Sequence, residues 1–558
     1  MEHNKTEIFH FTRARHPPNP SIDLSSMGGP IISPKPILQY LGFYFDRKLN
    51  FHFHTHFYAT KCLSTLNAMK MLGNSSRGLL PIQKRLLYRT CIMPIAIYGF
   101  QLWFFKGAPI VKNITELKKM QRRAALWITG AFCTSSSKGI KAIAGLIPIM
   151  LHLRKLNGRH YLRYASTPPS HAINSLLDTQ HAKDQIPHKN SISKLTIKQQ
   201  ANLKSPIKDV NDRLNGVRQC FNPLHSLFSP GSRLVDLFSG RITFHSPSSF
   251  SDEDLHQHLQ SLEHTFRSSQ INNNNAAIIA DSGIKKSQVA TAIAHIWSDN
   301  HIIKSLKVHS INITSLEAEL MAIHTGLVPT MEIEDIHNIT IITDSIAAAK
   351  KILKSKVDPL QNMFIPLASA IKTFFSKDSR NKINFWYCPS KAKWPRHQLV
   401  DNQVKTNTCL PVFPSKESHL FNKKKECDNI LYKWQTLFAD SIKKGQYFLN
   451  FEDKEQKVIK PTYAKGGSWL PFIGFTNSLC ACFTRMTTGH APIREYRQRF
   501  FPQLSTECSC GDADIQTREH IVMECNLYDP STRPRNIIIN SFVHFLADNP
   551  SAFSFDNE

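Results

Sequence analysis

The 558-residue sequence predicts an α/β protein whose most regular part is a mixed five-stranded sheet, with elements in the order βββαβαβα. Three observations carry that expectation. Apolar alternating runs separated by short turns extend over residues 276–308, as in an antiparallel meander. Two further β-branched runs, 339–343 and 383–388, alternate with stretches of helical periodicity. Apolar residues make up 41% of the chain and aromatics 10%, which excludes a wholly disordered or collagen-like polypeptide. At about 150 residues per domain, the length accommodates three or four domains.

Residues 6–11 read as a strand without a preceding partner, and a Pro/Ser-rich stretch follows over 17–36. Residues 37–45 read as a strand and turn with Gly42 inside. Helical patterning takes over at 57–71 and again at 83–98, where Pro94 interrupts it. A further helix opens with Asn113 as its N-cap and sets Leu117, Met120, Ala124 and Trp127 on one stripe. Lys118, Lys119, Arg122 and Arg123 lie off that stripe. Such a helix suits a phosphate backbone, and a solvated surface helix reads the same way. Residues 165–204 and 246–275 are polar and aperiodic and read as linkers.

The acidic residues are informative because of where they fall. Asp281 ends the first strand of the meander. Thr314 and Glu317 have the spacing of a capping box, which gives Glu317 a local task and leaves Glu319 for chemistry. Asp344 ends the strand at 339–343, with Ser345 placed to cap a helix over 346–353. A helix over 360–375 and the strand at 383–388 follow, and Asp401 lies near the start of a last helix. Carboxylates brought together raise one another's pKa unless cations neutralise them. An oxygen-only cluster suits Mg²⁺ or Mn²⁺, and two such ions can drive phosphodiester hydrolysis.

Asp281-Ser-Gly, Ser315-Leu-Glu-Ala-Glu319-Leu, Ile342-Thr-Asp344-Ser, and Trp386-Tyr-Cys-Pro-Ser-Lys with Leu399-Val-Asp401 resemble the four motifs of type 1 ribonuclease H. The resemblance implies an RNase H-like fold. It also implies that Asp281, Glu319, Asp344 and Asp401 hold two metal ions and that the substrate is the RNA strand of an RNA–DNA hybrid. Two departures stand out. Ser282 follows the first Asp where the family often has Gly. Lys391 occupies the place, ten residues before the last Asp, of a His that assists turnover; His397 is near but out of register. Lys391 and His397 are read as nucleic-acid contacts.

The first 164 residues carry a second resemblance. Gln39-Tyr-Leu-Gly, Leu72-Gly-Asn-Ser-Ser-Arg-Gly-Leu, Leu87-Tyr-Arg-Thr and Pro94-Ile-Ala-Ile-Tyr-Gly99 are similar to the last palm strands and thumb helices of a non-LTR retrotransposon reverse transcriptase of the fungal type. The polymerase needs an adjacent Asp pair, and the chain has no Asp-Asp dipeptide. No polymerase activity is expected, and the fingers and most of the palm would lie upstream of Met1.

Cys508, Cys510, His520 and Cys525 supply three thiolates and one imidazole, a closed tetrahedral set for structural Zn²⁺. Gly511 permits a turn after Cys510, residues 517–520 read as the start of a short helix, and Cys480 and Cys482 read as core. Arg485, His490, Arg494, Arg497 and Arg499 interleave with Tyr496, Phe500 and Phe501, a composition that suits phosphate contact and base stacking. A zinc knuckle after the nuclease resembles the C-terminal layout of the same elements.

Lys and Arg total 69 against 42 acidic residues, a net charge of +27, which points to nucleic acid as partner or to charge held for solubility. The N-terminus lacks a secretory signal, and the uncharged run 91–105 is too short to span a bilayer. A soluble nuclear or cytoplasmic protein is expected, with no membrane and no small-molecule substrate. The expected division is 1–164 reverse-transcriptase remnant, 165–271 linker with some helix, 272–410 RNase H domain, 411–470 connector and 471–558 basic, aromatic and zinc-binding segment. The expected activity is endonucleolytic cleavage of RNA in hybrids. The alternative is a decayed retroelement remnant that binds nucleic acid without turnover.

Overall fold

The computed structural model describes residues 7–12, 20–108, 110–165, 167, 170–185, 205–214, 233–247, 251–270, 274–285, 289–353, 360–406, 419–439, 469–534 and 539–555. Parts of the expected linker (186–204), hairpin turn (286–288) and connector (411–418, 440–468) lie outside them. The chain divides into two compact units, one of residues 158–186 and 210–426, the other of 1–157, 187–209 and 427–558.

The first unit is organised by a six-stranded sheet: β1 Ile242–His245, β2 Asn275–Ile284, β3 Val289–Ser298, β4 His301–Ile311, β5 Asn338–Thr343 and β6 Lys382–Tyr387, in the spatial order β1-β6-β5-β2-β3-β4. β2 pairs antiparallel with β3, and β3 with β4. β2 pairs parallel with β5, β5 with β6, and β6 with β1. β2 is central and apolar on both sides, as a strand covered on both faces must be. Ala276, Ile278 and Ala280 face one core, and Ala277 and Ile279 face the other.

Among the described residues, the helices α1 Asp252–Ser269, α2 Ser315–Thr330, α3 Ile346–Leu353, α4 Gln361–Lys377 and α5 Pro395–Thr406 lie on the two faces, with the short helix Leu234–Leu237 adding Leu234 to one core. α2 begins at the expected capping box, with the Thr314 N–H donating to Glu317 Oε2 at 2.7 Å. α2 to α4 fill one core through Leu320, Ile323, Leu327, Ile352, Leu367 and Ile371. α2 lies close to the sheet because Gly326 has no Cβ; one placed there would sit 2.5 Å from Ile278 Cγ2. α1 and α5 cover the other face, with Leu262, Phe266, Val400 and Val404 against Ala277, Ile279 and Ile342. The expected five strands occur in the order βββαβαβα, and the fold is RNase H-like.

Three elements differ from the sequence expectation, the first being a helix, Ala172–Gln185, within the stretch 165–204 read as a polar, aperiodic linker. The sheet has a sixth strand, because β1 adds to the outer edge of β6; four residues are too few for a periodic signal. Arg241 fixes the start of β1 by donating to the carbonyls of Asn381 and Phe375, each at 3.0 Å. The stretch at 246–275, expected as a loose linker, contains the 18-residue helix α1, capped by Ser251, whose Oγ accepts from the Asp254 N–H at 3.3 Å.

The second unit is mostly helical. A hairpin of Ile37–Tyr40 and Phe43–Asp46 and the helices His52–Met69, Ile110–Thr129, Asn477–Thr488 and Ile539–Asp548 belong to it. Segments read separately at the two ends of the sequence share its core, where Leu66, Leu117 and Ile128 cluster with Phe483, Phe542 and Phe545. The buried Lys84 donates to Asn477 Oδ1 at 2.9 Å. Two local expectations fail. Residues 7–12 form no strand. Asn113 is not an N-cap; it lies inside the helix Ile110–Thr129, buried, accepting at Oδ1 from Thr55 Oγ1 at 3.0 Å. The helix expected at 83–98 with an interruption at Pro94 is found as Pro81–Leu87, a π-turn over Tyr88–Ile92 and Met93–Ala96, around the missing N–H of Pro94. Among the described residues, no helix is long and apolar enough to cross a membrane.

Candidate active site and metal centres

The parallel register ends with Ala280 opposite Thr343, and the residues that follow, Asp281 on β2 and Asp344 just after β5, bring their carboxylate oxygens within 4.8 Å of each other. α5 packs over this edge. It approaches β2 at Gly283, where an added Cβ would lie 2.7 Å from Val404 Cγ1. His295 on β3 also holds α5, through Nε2 and Gln403 Oε1 at 2.8 Å. α5 thereby brings His397 and Asp401, one turn apart, to the carboxylates. α2 brings Glu319, whose Oε1 accepts from Ser282 Oγ at 2.7 Å, while its Oε2 is buried without a hydrogen-bond partner. Ser282, directly after Asp281, therefore orients Glu319.

Burial and mutual repulsion oppose ionisation here. Burial pushes Asp281 up to about 7, and Asp344 and Asp401 add to the rise against the Ser282 backbone N–H. Burial pushes Glu319 up to about 8, with Asp344 and Asp281 adding to it against the Ser282 hydrogen bond. Asp344 is raised by burial and by Asp401, against the attraction of His397. Asp401 forms an ion pair with Lys405 one turn along α5. Such a cluster becomes fully charged at neutral pH only with cations in it. Buried oxygens without protein partners suit hard divalent ions.

The structure brings all four expected carboxylates to one sheet edge and corrects the reading of His397. This residue is not a surface contact; its side chain is buried beside Asp281 and Asp344. Lys391 is exposed on a short turn, Ser390–Ala392. Sequence reasoning missed Glu263 on α1, which accepts from Trp394 Nε1 at 2.9 Å and from Arg396 Nη1 at 2.8 Å and so ties down the approach to α5. The signal was available in the helical spacing of Leu255, Leu259, Leu262 and Phe266.

In the second unit, Lys118, Lys119 and Arg123 are exposed on the helix Ile110–Thr129, and Arg122 is half-buried, donating to the Cys133 carbonyl. Arg485 does not belong to a binding surface. It is buried, donates to the Phe553 carbonyl at 3.1 Å, and lies 4.6 Å from the Phe555 ring. Arg497 is half-buried, whereas Phe500 and Phe501 are exposed.

Cys508, Cys510, His520 and Cys525 converge, their ligand atoms all within 4.8 Å of one another. Cys508 and Cys525 Sγ are 3.7 Å apart, and Cys510 Sγ is 3.2 Å from His520 Nε2. Tetrahedral Zn²⁺ with Zn–S bonds of about 2.3 Å has S–S edges of about 3.8 Å, so these residues fit the ion. The knuckle closes through Gly511 N–H to Cys508 O at 3.0 Å, with φ +79° at Gly511. Thr517 caps the helix Arg518–Met523 that carries His520. The Asp512 backbone N–H draws the Cys510 thiol down to about 7, while burial pushes Cys525 up to about 12. Cys480 and Cys482 are buried core residues, as expected.

No family model matches the chain. Over 137 residues it is 25% identical to a retrovirus-related Pol polyprotein from type-1 retrotransposable element R1 4 of Nasonia vitripennis, covering 25% of this chain and 34% of that one. Over 91 residues it is 30% identical to a probable RNA-directed DNA polymerase from transposon BS of Drosophila melanogaster, covering 16% of this chain and 10% of that one. The matches span only about a third and a tenth of those curated relatives. Similar solved structures include the N-terminal RNase H domain of rv2228c from Mycobacterium tuberculosis, solved as a fusion with maltose binding protein. It is 18% identical, with 23% of this chain and 93% of that chain covered and a TM-score of 0.19. Another is LC11-RNase H1 isolated from compost, 17% identical, with 24% and 94% covered and a TM-score of 0.19. The chain is similar to retrotransposon Pol polyproteins, and one of its two units carries an RNase H-like fold.

Proposed function

We propose that residues 272–410 form a metal-dependent endonuclease that cleaves the RNA strand of RNA–DNA hybrids, within a chain related to non-LTR retrotransposon polyproteins. The observation that carries this reading is the convergence of Asp281, Glu319, Asp344 and Asp401 on one sheet edge, with burial raising the first three. Bound Mg²⁺ or Mn²⁺, two ions in this reading, would supply Lewis-acid polarisation and an acidified water. Asp281 and Asp344 provide adjacent oxygens fixed by the β2–β5 register. Ser282 aims Glu319, and Lys405 holds Asp401 at the rim until a cation competes for it. The exposed Lys391, with Lys118, Lys119, Arg123 and Arg497 on the other unit, would contact phosphates. The Cys508, Cys510, His520 and Cys525 set would hold structural Zn²⁺.

The test is cleavage of a labelled RNA–DNA hybrid by the full chain with Mg²⁺, Mn²⁺ or EDTA, beside Asp344→Asn. Metal-dependent cutting of RNA that the variant loses supports the proposal. The second reading, a remnant that binds without cutting, draws on the Lys405–Asp401 ion pair and on Lys391 in place of His. Hybrid binding with no cleavage in either metal would establish it.

A further inference from the structure

The four carboxylates leave His397 unexplained. Its side chain is 4% exposed, and Nε2 is buried without a hydrogen-bond partner. That nitrogen has lost its water without gaining a hydrogen bond, although the ring lies close enough to Asp344 to attract its charge. That nitrogen-bearing ring faces acidic neighbours. One His397 ring nitrogen, one Asp281 oxygen and one Asp344 oxygen all lie within 4.8 Å of one another. Ser282 engages only Oε1 of Glu319 and Lys405 pairs with Asp401, and the ligand atoms that come together within 4.8 Å at this edge are two oxygens and one nitrogen.

We propose that His397 supplies a nitrogen ligand to the cation held by Asp281 and Asp344, giving this site a preference for Mn²⁺ over Mg²⁺. The inference rests on reading the Asp281 edge as a metal site and names the ion that it selects. Mg²⁺ demands oxygen donors in near-ideal octahedral geometry and gives up water reluctantly. Imidazole is a ligand for first-row transition ions, so replacing one oxygen by a ring nitrogen penalises Mg²⁺ more than Mn²⁺. The position of His397, one turn before Asp401 on a helix fixed by Gln403 and Glu263, keeps the ring in place before any ion arrives.

The full chain is first loaded with one equivalent of Zn²⁺ to fill the cysteine set, then titrated with Mn²⁺ and followed by electron paramagnetic resonance. Wild type should bind Mn²⁺ with electron spin-echo modulation from a coupled ¹⁴N nucleus and resist displacement by Mg²⁺. His397→Ala should lose that modulation and reduce the Mn²⁺-over-Mg²⁺ preference by roughly tenfold or more. His397→Gln, which keeps bulk and a side-chain oxygen, should restore Mn²⁺ binding without nitrogen modulation; circular dichroism confirms that each variant is folded. Nitrogen modulation and metal competition unchanged in a folded His397 variant overturn the inference while leaving the nuclease reading intact. Mn²⁺ binding that Asp344→Asn does not weaken removes the metal site itself, and the proposed function with it.

Discussion

Ser282 shows how one residue changes the chemistry of its neighbours. Its N–H steadies Asp281 and its hydroxyl steadies Glu319, yet both carboxyls stay well above their ordinary range because burial outweighs these bonds. The folded protein binds these protons more tightly than the unfolded chain does. Each group therefore costs stability in the metal-free protein as pH rises from about 4, where unfolded carboxyls ionise, to about 8. Glu319→Gln removes the penalty, so its melting temperature should exceed that of wild type by more at pH 8 than at pH 5, in zinc-replete buffer without Mg²⁺ or Mn²⁺. Equal differences at the two pH values would show that Glu319 ionises normally. The positions of Asp281, Asp344 and Asp401 were legible because each acid ends or opens an element. The buried position of His397 was not, because two residues one turn apart on a helix reveal their shared face only once the partner strand is known. Arg485 misled for a related reason: a sequence does not say whether an Arg between aromatics meets phosphate or, as here, a backbone carbonyl inside the core.

At the scale of elements, α5 decides whether the site is assembled. Beside the His295–Gln403 hydrogen bond, two contacts set it: the bare Cα of Gly283 against Val404, and the Glu263 carboxylate against Trp394 and Arg396. Gly283→Ala should push α5 off the sheet at a cost of about 1–3 kcal/mol and weaken Mn²⁺ binding with it. Thermal melts and metal titration check both effects. Glu263→Ala, at a partly exposed site, should cost about 1–2 kcal/mol and lower cleavage more than hybrid binding. α1 itself was legible in principle, with a cap and a regular apolar stripe, but its many polar residues obscured both. β1 was not legible: four residues at a sheet edge are defined by their neighbour β6, not by their own pattern.

For the whole molecule, the net charge of +27 makes nucleic-acid affinity salt-dependent. Reversing Lys118, Lys119 and Arg123 together should lower the slope of log affinity against log salt by roughly 2–3, measured by hybrid binding at several salt concentrations. An unchanged slope would mean that this helix face meets only solvent. Zinc removal should also act beyond the knuckle, because Cys508 and Cys525 lie in the core that contains Leu117 and Phe483. Chelation should lower the melting temperature of that helical unit, and Cys525→Ser should do the same. That shared core was invisible in the sequence, since segments hundreds of residues apart carry no mutual signal, whereas the sheet-bearing unit is continuous through its motifs and was legible. The central claim is that Asp281, Glu319, Asp344 and Asp401 make a nuclease specific for RNA in hybrids. The most direct test is cleavage by the full chain of strand-labelled RNA–DNA hybrid, duplex RNA, duplex DNA and single-stranded RNA with Mn²⁺. The account predicts internal cuts in the RNA strand of the hybrid alone, abolished by EDTA and by Asp344→Asn; cutting of duplex DNA, or hybrid cleavage that persists in Asp344→Asn, would contradict it.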